Sequence, residues 1–424
     1  MRKEENDLLT QTDAKTPMGE LFRRYWLPAL TADELPGPDC PPVRLPLLGE
    51  QLVAFRDSAG RVGILDAACS HRQASLYFGR PEEGGIRCGY HGWKFDVTGR
   101  CVDIPSEPAA SGRFGDQIRL RAYPTLEQSG VIWVYMGPPE HQPSPPEYEW
   151  AQLPPSHVFV TRRLQECNYL QTMEGGLDSS HLSILHRWTL AYDSVIGGHM
   201  DSRIVDIIGA DPNPVYEVQE TPAGLLLGAR RNAGAGDYYW RITQFIAPCF
   251  NLVAPTGAST LNAQAWVPPD DENCWSWAIN YNLDRPLTED ERHAMRAGGG
   301  LHVAFVPGTQ QGPAHRENDY LVDRDAQRQC KTFTGVAGIA MQDAAVQESQ
   351  GRIADRTLEH LVNSDNGIIA ARKMLIQATR AMNAGQALPG RDPASHHCRA
   401  ASIIIPQEKL SNVPQDALLS AISR

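Results

Sequence analysis

Four side chains constrain this chain more than any others. Cys69 and His71 are one residue apart, Cys88 and His91 are two apart, and sixteen residues separate the pairs. Two thiols and two imidazoles on two short segments can converge on one metal centre. Tetrahedral zinc is one solution. The other is a [2Fe–2S] cluster with both thiolates on one iron and both imidazoles on the second. Structural zinc sites mostly use knuckles of two cysteines, whereas each pair here mixes one Cys with one His. One thiolate and one imidazole per loop suits the cluster. Imidazoles in place of thiolates raise the reduction potential, to roughly −150 to +300 mV, and leave protonatable nitrogens for hydrogen bonds.

Composition bounds the rest. A chain of 424 residues is long enough for two or three domains, and 42% hydrophobic content supplies their cores. The nine cysteines are scattered and odd in number, which does not read as a disulfide framework. A net charge of −11 argues against nucleic acid or an anionic membrane as partner. The start, MRKEENDLLTQTDAK, has no apolar signal core, and no run approaches the ~20 apolar residues of a membrane span. The expected compartment is the cytoplasm.

Patterning divides the chain into three. Residues 1–42 read as helical turns and a Pro-rich link, packing on the catalytic domain, with Thr16 capping a helix that opens at Pro17. Residues 43–140 alternate with period two and form a small all-β unit, with a hairpin turn at Asp57–Gly60. Residues 141–424 form the larger domain. A helix is expected around Leu170–His186. Strands are expected at Arg203–Ile208, Val215–Gln219, Gly224–Arg230, Tyr238–Ile246, Asn262–Val267 and Trp275–Leu283. Helices follow at Gly335–Ser349 and Ser364–Met382, and a short strand at Ile403–Ile405.

A second constellation lies in the larger domain. Asp178, His181 and His186 are spaced D-x-x-H-x-x-x-x-H. Two His and one carboxylate with open positions are the facial triad of non-haem Fe(II) oxygenases. Asp178 and His181 share a helix face, but two residues five apart diverge by about 140° on an ideal helix. The histidines can meet one metal only if the helix breaks or widens between them, and Gly175 and Gly176 fit irregular backbone just upstream. Asp178 then reads as a hydrogen-bond partner of His181 rather than a ligand. The third ligand must be another carboxylate. Asp343, among apolar neighbours, is the best candidate, with Glu348 and Asp355 as competitors that spacing does not separate.

These motifs resemble the Rieske non-haem iron ring-hydroxylating oxygenases. The cluster loops match through Cys88-Gly89-Tyr90-His91-Gly92-Trp93-Lys94-Phe95-Asp96 and Gly99-Arg100-Cys101. The first loop, Cys69-Ser70-His71-Arg72-Gln73-Ala74, departs from the usual pattern, with Ser70 in place of Pro and Gln73 in place of Gly. Gln342-Asp343, Ala345–Ser349, Asp355–Leu361 and Ser364-Asp365 resemble the phthalate dioxygenase-like branch, which includes aromatic O-demethylases.

The resemblance implies an α+β fold: a small all-β Rieske domain, and a helix-grip catalytic domain whose central antiparallel sheet is flanked by helices. It implies the oxygenase (alpha) component of a system that takes electrons from an NAD(P)H-dependent flavin/iron–sulfur reductase. With O2 it would hydroxylate or O-demethylate an aromatic acid. It implies two cofactors, the [2Fe–2S] Rieske cluster and a mononuclear non-haem Fe(II), and maps the carboxylate ligand to Asp343. It further implies a homotrimer, in which Asp178 bridges His181 to His91 of the partner subunit.

An aromatic acid needs a cation in an apolar pocket. Arg241, mid-strand in Tyr238-Tyr239-Trp240-Arg241-Ile242, is the candidate, while Arg230 and Arg231 read as surface residues. Val215 stands where several relatives carry a basic residue, which counts against a simple phthalate-like diacid. The rival from another class is a non-catalytic electron carrier of the Rieske ferredoxin type. It would need only residues 43–140.

Overall fold

The computed structural model describes residues 1–107, 117–190, 193, 195, 202–255 and 260–419. The chain divides into two bodies, one of Thr12–Pro145 and one of Met1–Gln11 with Pro146–Arg424.

The smaller body is all β apart from short helical turns. One sheet orders β1 (Trp26–Thr31), β11 (Val131–Tyr135) and β10 (Thr125–Gln128). A second orders β2 (Val43–Leu47), β3 (Glu50–Arg56), β4 (Val62–Asp66) and β9 (Ala122–Tyr123). A third orders β5 (Arg80–Glu82), β6 (Gly85–Arg87), β7 (Lys94–Phe95) and β8 (Cys101–Asp103). The expected hairpin turn follows β3. The Asp57 carboxylate accepts from the amides of Ala59 and Arg61, and Gly60 takes φ +82°. Val53, Phe55, Leu65, Ile86 and Phe95 share one core with Cys69 and Cys88.

The N-terminal stretch departs from expectation. Thr16 does cap the helix Pro17–Phe22 through the Gly19 amide at 3.1 Å. Trp26–Thr31, however, is a fully buried strand paired antiparallel to β11. The segment expected at 1–42 on the catalytic domain therefore splits. Met1–Gln11 join the larger body, and Thr12 onward join the smaller one.

The larger body is built on one antiparallel sheet, in the order β12 (Val158–Gln165), β18 (Asn273–Tyr281), β17 (Leu261–Asp270), β16 (Phe250–Val253), β15 (Asp237–Ile246), β14 (Gly224–Gly234) and β13 (Val215–Glu220). β19 (Ala401–Ile405) adds onto β15. The helix Tyr169–Leu177 packs on β17 and β18 and touches the helix Ile339–Glu348, while the helix Asn366–Asn383 packs on β13 and β14. One expectation fails here, and one strand was not expected. Arg203–Ile208 lies inside a helix, Ser202–Ala210, although its β-branched run favours a strand. Ile204 and Ile208, four apart, bury one stripe against Leu190, Tyr239 and Ile339, and that packing wins. Strand β12 escapes a polarity reading because Arg162 and Arg163 interrupt it. Both are buried, Arg162 at 4.1 Å over the Trp275 ring.

Candidate metal centres and the catalytic cavity

The two cluster loops are built alike. The Cys69 carbonyl accepts from the Gln73 amide at 2.8 Å, and the Cys88 carbonyl from the Gly92 amide at 3.0 Å. Each turn closes four residues after its cysteine, where φ is positive: +61° at Gln73 and +75° at Gly92. Such backbone favours glycine, so Gln73 is held in a conformation its side chain disfavours. Both thiols are buried, at 1% and 3% exposure. Burial, with Cys88 beside it, pushes the Cys69 thiol up to about 11. The His71 and His91 rings lie 4.6 Å apart, and His71 stacks on Trp93 at 4.5 Å. His71 Nδ1 is buried with no hydrogen-bond partner. Buried thiols that ionise only beside positive charge, next to an imidazole nitrogen with no protein partner, fit a [2Fe–2S] cluster.

The second centre depends on a broken helix. Tyr169–Leu177 ends at Asp178, which leaves helical geometry at φ −80°, ψ 139°. The Asp178 carboxylate then caps the next turn, accepting from the amides of Ser180 at 2.7 Å and His181 at 3.0 Å. The chain restarts as a single 3-10 turn, His181–Ser183. The break brings the His181 and His186 rings to 5.0 Å, nearly perpendicular at 79°. Gly175 and Gly176 play another part than expected. They are regular helix, and their missing side chains make room. A Cβ on Gly175 would lie 2.1 Å from Gln347 Nε2, and one on Gly176 2.2 Å from the Trp266 ring.

Asp343 comes from the helix Ile339–Glu348. Its Oδ1 is 3.2 Å from His186 Nε2 and 3.7 Å from His181 Nε2. One ligand atom from each of the three lies within 4.8 Å of the others. The outward-facing nitrogens are occupied. His181 Nδ1 meets Asp178 Oδ2 at 3.1 Å, and His186 Nδ1 meets Gln342 Oε1 at 2.7 Å. Gln342 Nε2 donates to Thr189 Oγ1 and the Val336 carbonyl, so the amide is oriented and His186 Nδ1 must carry the proton. This leaves both Nε2 lone pairs converging on the Asp343 carboxylate. Burial works against the charge on Asp343, but His186, His181 and Arg163 hold its carboxyl below the usual range. Two imidazoles and one carboxylate, each imidazole held from behind, fit a mononuclear iron with open positions.

The competing carboxylates are committed elsewhere. Glu348 accepts from the Glu166 amide and the Tyr320 hydroxyl, and Asp355 from the Thr357 amide and hydroxyl. Two braces on the Asp178 turn went unread in the sequence. The Tyr216 hydroxyl donates to Asp178 Oδ1 at 3.0 Å and accepts from the Ser179 amide. Arg231, expected at the surface, is fully buried and donates to the carbonyls of Ser179 at 2.7 Å and Asp211 at 2.9 Å. Strand alternation carried that signal, since of two adjacent strand arginines one must point inward. Arg230 is the other, paired with Glu408.

Beside the triad opens a cavity. Leu182, Leu190, Val253 and Trp266 supply apolar walls, and Arg241 and Arg163 both reach its lining. Arg241 thus shares a cavity with His181, His186 and Asp343.

Donors for a [2Fe–2S] cluster and for a mononuclear iron on one chain are the donor sets of an iron oxygenase. Residues 25–124 match the family model described as the Rieske [2Fe-2S] domain, and residues 134–409 the LigXa C-terminal domain-like model. The chain is 38% identical over 407 residues to the 3-chlorobenzoate-3,4-dioxygenase oxygenase subunit of Comamonas testosteroni, covering 93% of this chain and 92% of that one. It is 35% identical over 395 residues to the phthalate 4,5-dioxygenase oxygenase subunit of Pseudomonas putida, covering 91% and 88%. The fold is that of NdmA from Pseudomonas putida CBB5, solved with caffeine, at a TM-score of 0.59 and 17% identity, covering 93% of this chain and 99% of that one.

The chain belongs to the Rieske non-haem iron ring-hydroxylating oxygenases, as an oxygenase component of the phthalate dioxygenase-like and O-demethylase branch. Its cofactors are a Rieske [2Fe–2S] cluster and a mononuclear non-haem iron, and its electrons come from a separate partner protein. The electron-carrier alternative is set aside, since the match extends through the catalytic domain. Among the described residues no helix is long and apolar enough to cross a membrane.

Proposed function

We propose that this oxygenase component hydroxylates or O-demethylates an aromatic acid, in a cytoplasmic homotrimer served by an NAD(P)H-dependent flavin/iron–sulfur reductase. One observation carries the reading. Two imidazole Nε2 atoms and the Asp343 carboxylate converge on the wall of a cavity that also holds Arg241.

In this reading Cys69, His71, Cys88 and His91 hold the cluster, and His181, His186 and Asp343 hold the iron. The cluster supplies electrons singly, and the iron supplies O2 activation. The chain's own residues do the rest. Asp178 and Gln342 accept from Nδ1 of His181 and His186, which turns both Nε2 atoms towards the iron site. Arg241 orients the substrate carboxylate, and the apolar walls exclude water around the ring. By the family resemblance Asp178 also meets His91 of the partner subunit and carries the electron path between subunits.

The test is product analysis on a panel of aromatic acids and methoxy-aromatics with a surrogate reductase. Substrate-dependent O2 uptake with a hydroxylated product, or with formaldehyde, supports the reading. Uptake that no aromatic acid stimulates refutes it. Asp178→Asn should slow cluster reoxidation in a single turnover with substrate and O2, and an unchanged rate would sink the bridging role. An iron assay should give about three irons per chain, two from the cluster and one mononuclear.

A further inference from the structure

The buried arginines of the larger body are nearly all spoken for. Arg356 and Arg372 share Glu174, and Arg372 also pairs with Glu359. Arg231 holds backbone carbonyls, and Arg162 lies over Trp275. Arg163, which is buried, and Arg241, which is partly exposed, differ. Each makes one long hydrogen bond to a carbonyl, Arg163 Nη2 to Ala340 at 3.3 Å and Arg241 Nη1 to Ala254 at 3.3 Å. A guanidinium has five N–H donors, so most of each fork is unspent. Neither forms an ion pair with a carboxylate of the described residues, although Arg163 is only 9% exposed. Both line the same cavity.

Their placement is as informative as their lack of partners. Arg163 is on β12 and Arg241 on β15, with β18, β17 and β16 between them. At about 4.8 Å per step their strands lie roughly 19 Å apart across the sheet, and the register offsets them along the strands as well, Arg163 lying level with Trp266 and Arg241 beyond Val253 and its partner Asn262. Ser276, opposite Arg163 in the register, and Trp266, opposite Ser276, continue the lining, as do Asn262 and its partner Val253 towards Arg241. The cavity lining therefore carries two arginines from strands four places apart, with apolar and amide side chains from the strands between them, and the His181–His186–Asp343 group.

We propose that Arg163 is a second anion receptor in this cavity, and that the substrate class is an elongated aromatic carrying acidic groups at opposite ends. The inference rests on the aromatic-acid reading and sharpens it. Neighbouring carboxylates on a single ring cannot reach both forks. A planar core lying along Trp266 with one carboxylate on Arg241 and one on Arg163 can. Two forks also fix the core at both ends, which selects the ring position presented to the iron ligands.

The test is calorimetric binding to the iron-loaded oxygenase, with three probes: benzoate, benzene-1,2-dicarboxylate and naphthalene-2,6-dicarboxylate. The unaltered protein should bind the naphthalene diacid at least about tenfold more tightly than the other two, the modest end for a buried charge pair. Arg163→Gln should erase that advantage, leave benzoate within about threefold, and leave iron content unchanged. Arg163→Lys, which keeps the charge but loses the fork, should recover only part of it. Equal affinity of the unaltered protein for all three acids overturns the proposal without any variant. So does a uniform weakening of all three acids, or loss of iron, in Arg163→Gln. Either would mark Arg163 as acting on Asp343 alone rather than on the substrate. If none of the acids binds the unaltered protein, the aromatic-acid reading itself fails, and this one with it.

Discussion

Gln342→Leu isolates what holds an iron ligand from behind. Gln342 is fully buried and makes three hydrogen bonds: to His186 Nδ1 at 2.7 Å, to Thr189 Oγ1 at 2.8 Å and to the Val336 carbonyl at 3.0 Å. Leucine fills similar space with none of them. His186 then loses the contact that fixes its tautomer, and proton placement on Nε2 competes with metal binding. Loss of such a partner costs about 10- to 100-fold in metal affinity, or about 1.4–2.7 kcal/mol. Gln342→Glu separates orientation from packing. It keeps an acceptor towards His186 Nδ1 but sets a carboxylate against the Val336 carbonyl. It should retain iron within a few-fold while destabilising the fold by about 1–3 kcal/mol. The assay is Fe(II) titration of protein stripped of mononuclear iron, with the visible spectrum of the cluster as internal reference for intact protein. Wild-type iron affinity in Gln342→Leu would refute the argument.

Three further outcomes follow from the same geometry. Gln73→Gly should stabilise the cluster domain by about 1 kcal/mol, because Gln73 is exposed and sits at φ +61°, and a lowered thermal midpoint would contradict this. Gly176→Ala should destabilise the catalytic domain by about 1–3 kcal/mol and weaken substrate binding, since its Cβ would lie 2.2 Å from the cavity-lining Trp266 ring; denaturant unfolding and ligand titration read both effects. Glu174 is partly buried, which disfavours its charge, yet Arg356 and Arg372 hold its carboxyl below the ordinary range. Its folded pKa is thus depressed, so its contribution is present above the unfolded value of about 4.3 and is lost as pH falls through the folded value. Thermal midpoints should fall below pH ~4, and Glu174→Gln should flatten that limb while lowering stability at neutral pH by about 3 kcal/mol.

Much of this molecule was legible in one dimension. Close-range spacing marks Cys69, His71, Cys88 and His91 because each pair sits in one short loop, where sequence distance and spatial distance nearly coincide. Residue type and interval likewise single out His181 and His186, and the interval of five already required irregular backbone between them, now seen as the single 3-10 turn His181–Ser183. Strands β13 to β15, β17 and β18 were readable because their faces alternate or their apolar runs end at turns.

Only tertiary structure decided the remainder. Asp343, Glu348 and Asp355 are equivalent on paper, and what separates them is where two distant helices meet, with Asp343 against His186 and Glu348 against Tyr320. Gly175 and Gly176 looked like irregular backbone and proved to be clearance for Gln347 and Trp266, which come from other elements. Arginines misled most. Polarity placed Arg231 outside and hid the strand carrying Arg163, yet both are buried. A guanidinium can go inside wherever carbonyls, an aromatic face or a ligand anion replace its water, and those partners are set by the sheet's register rather than by neighbours in the chain.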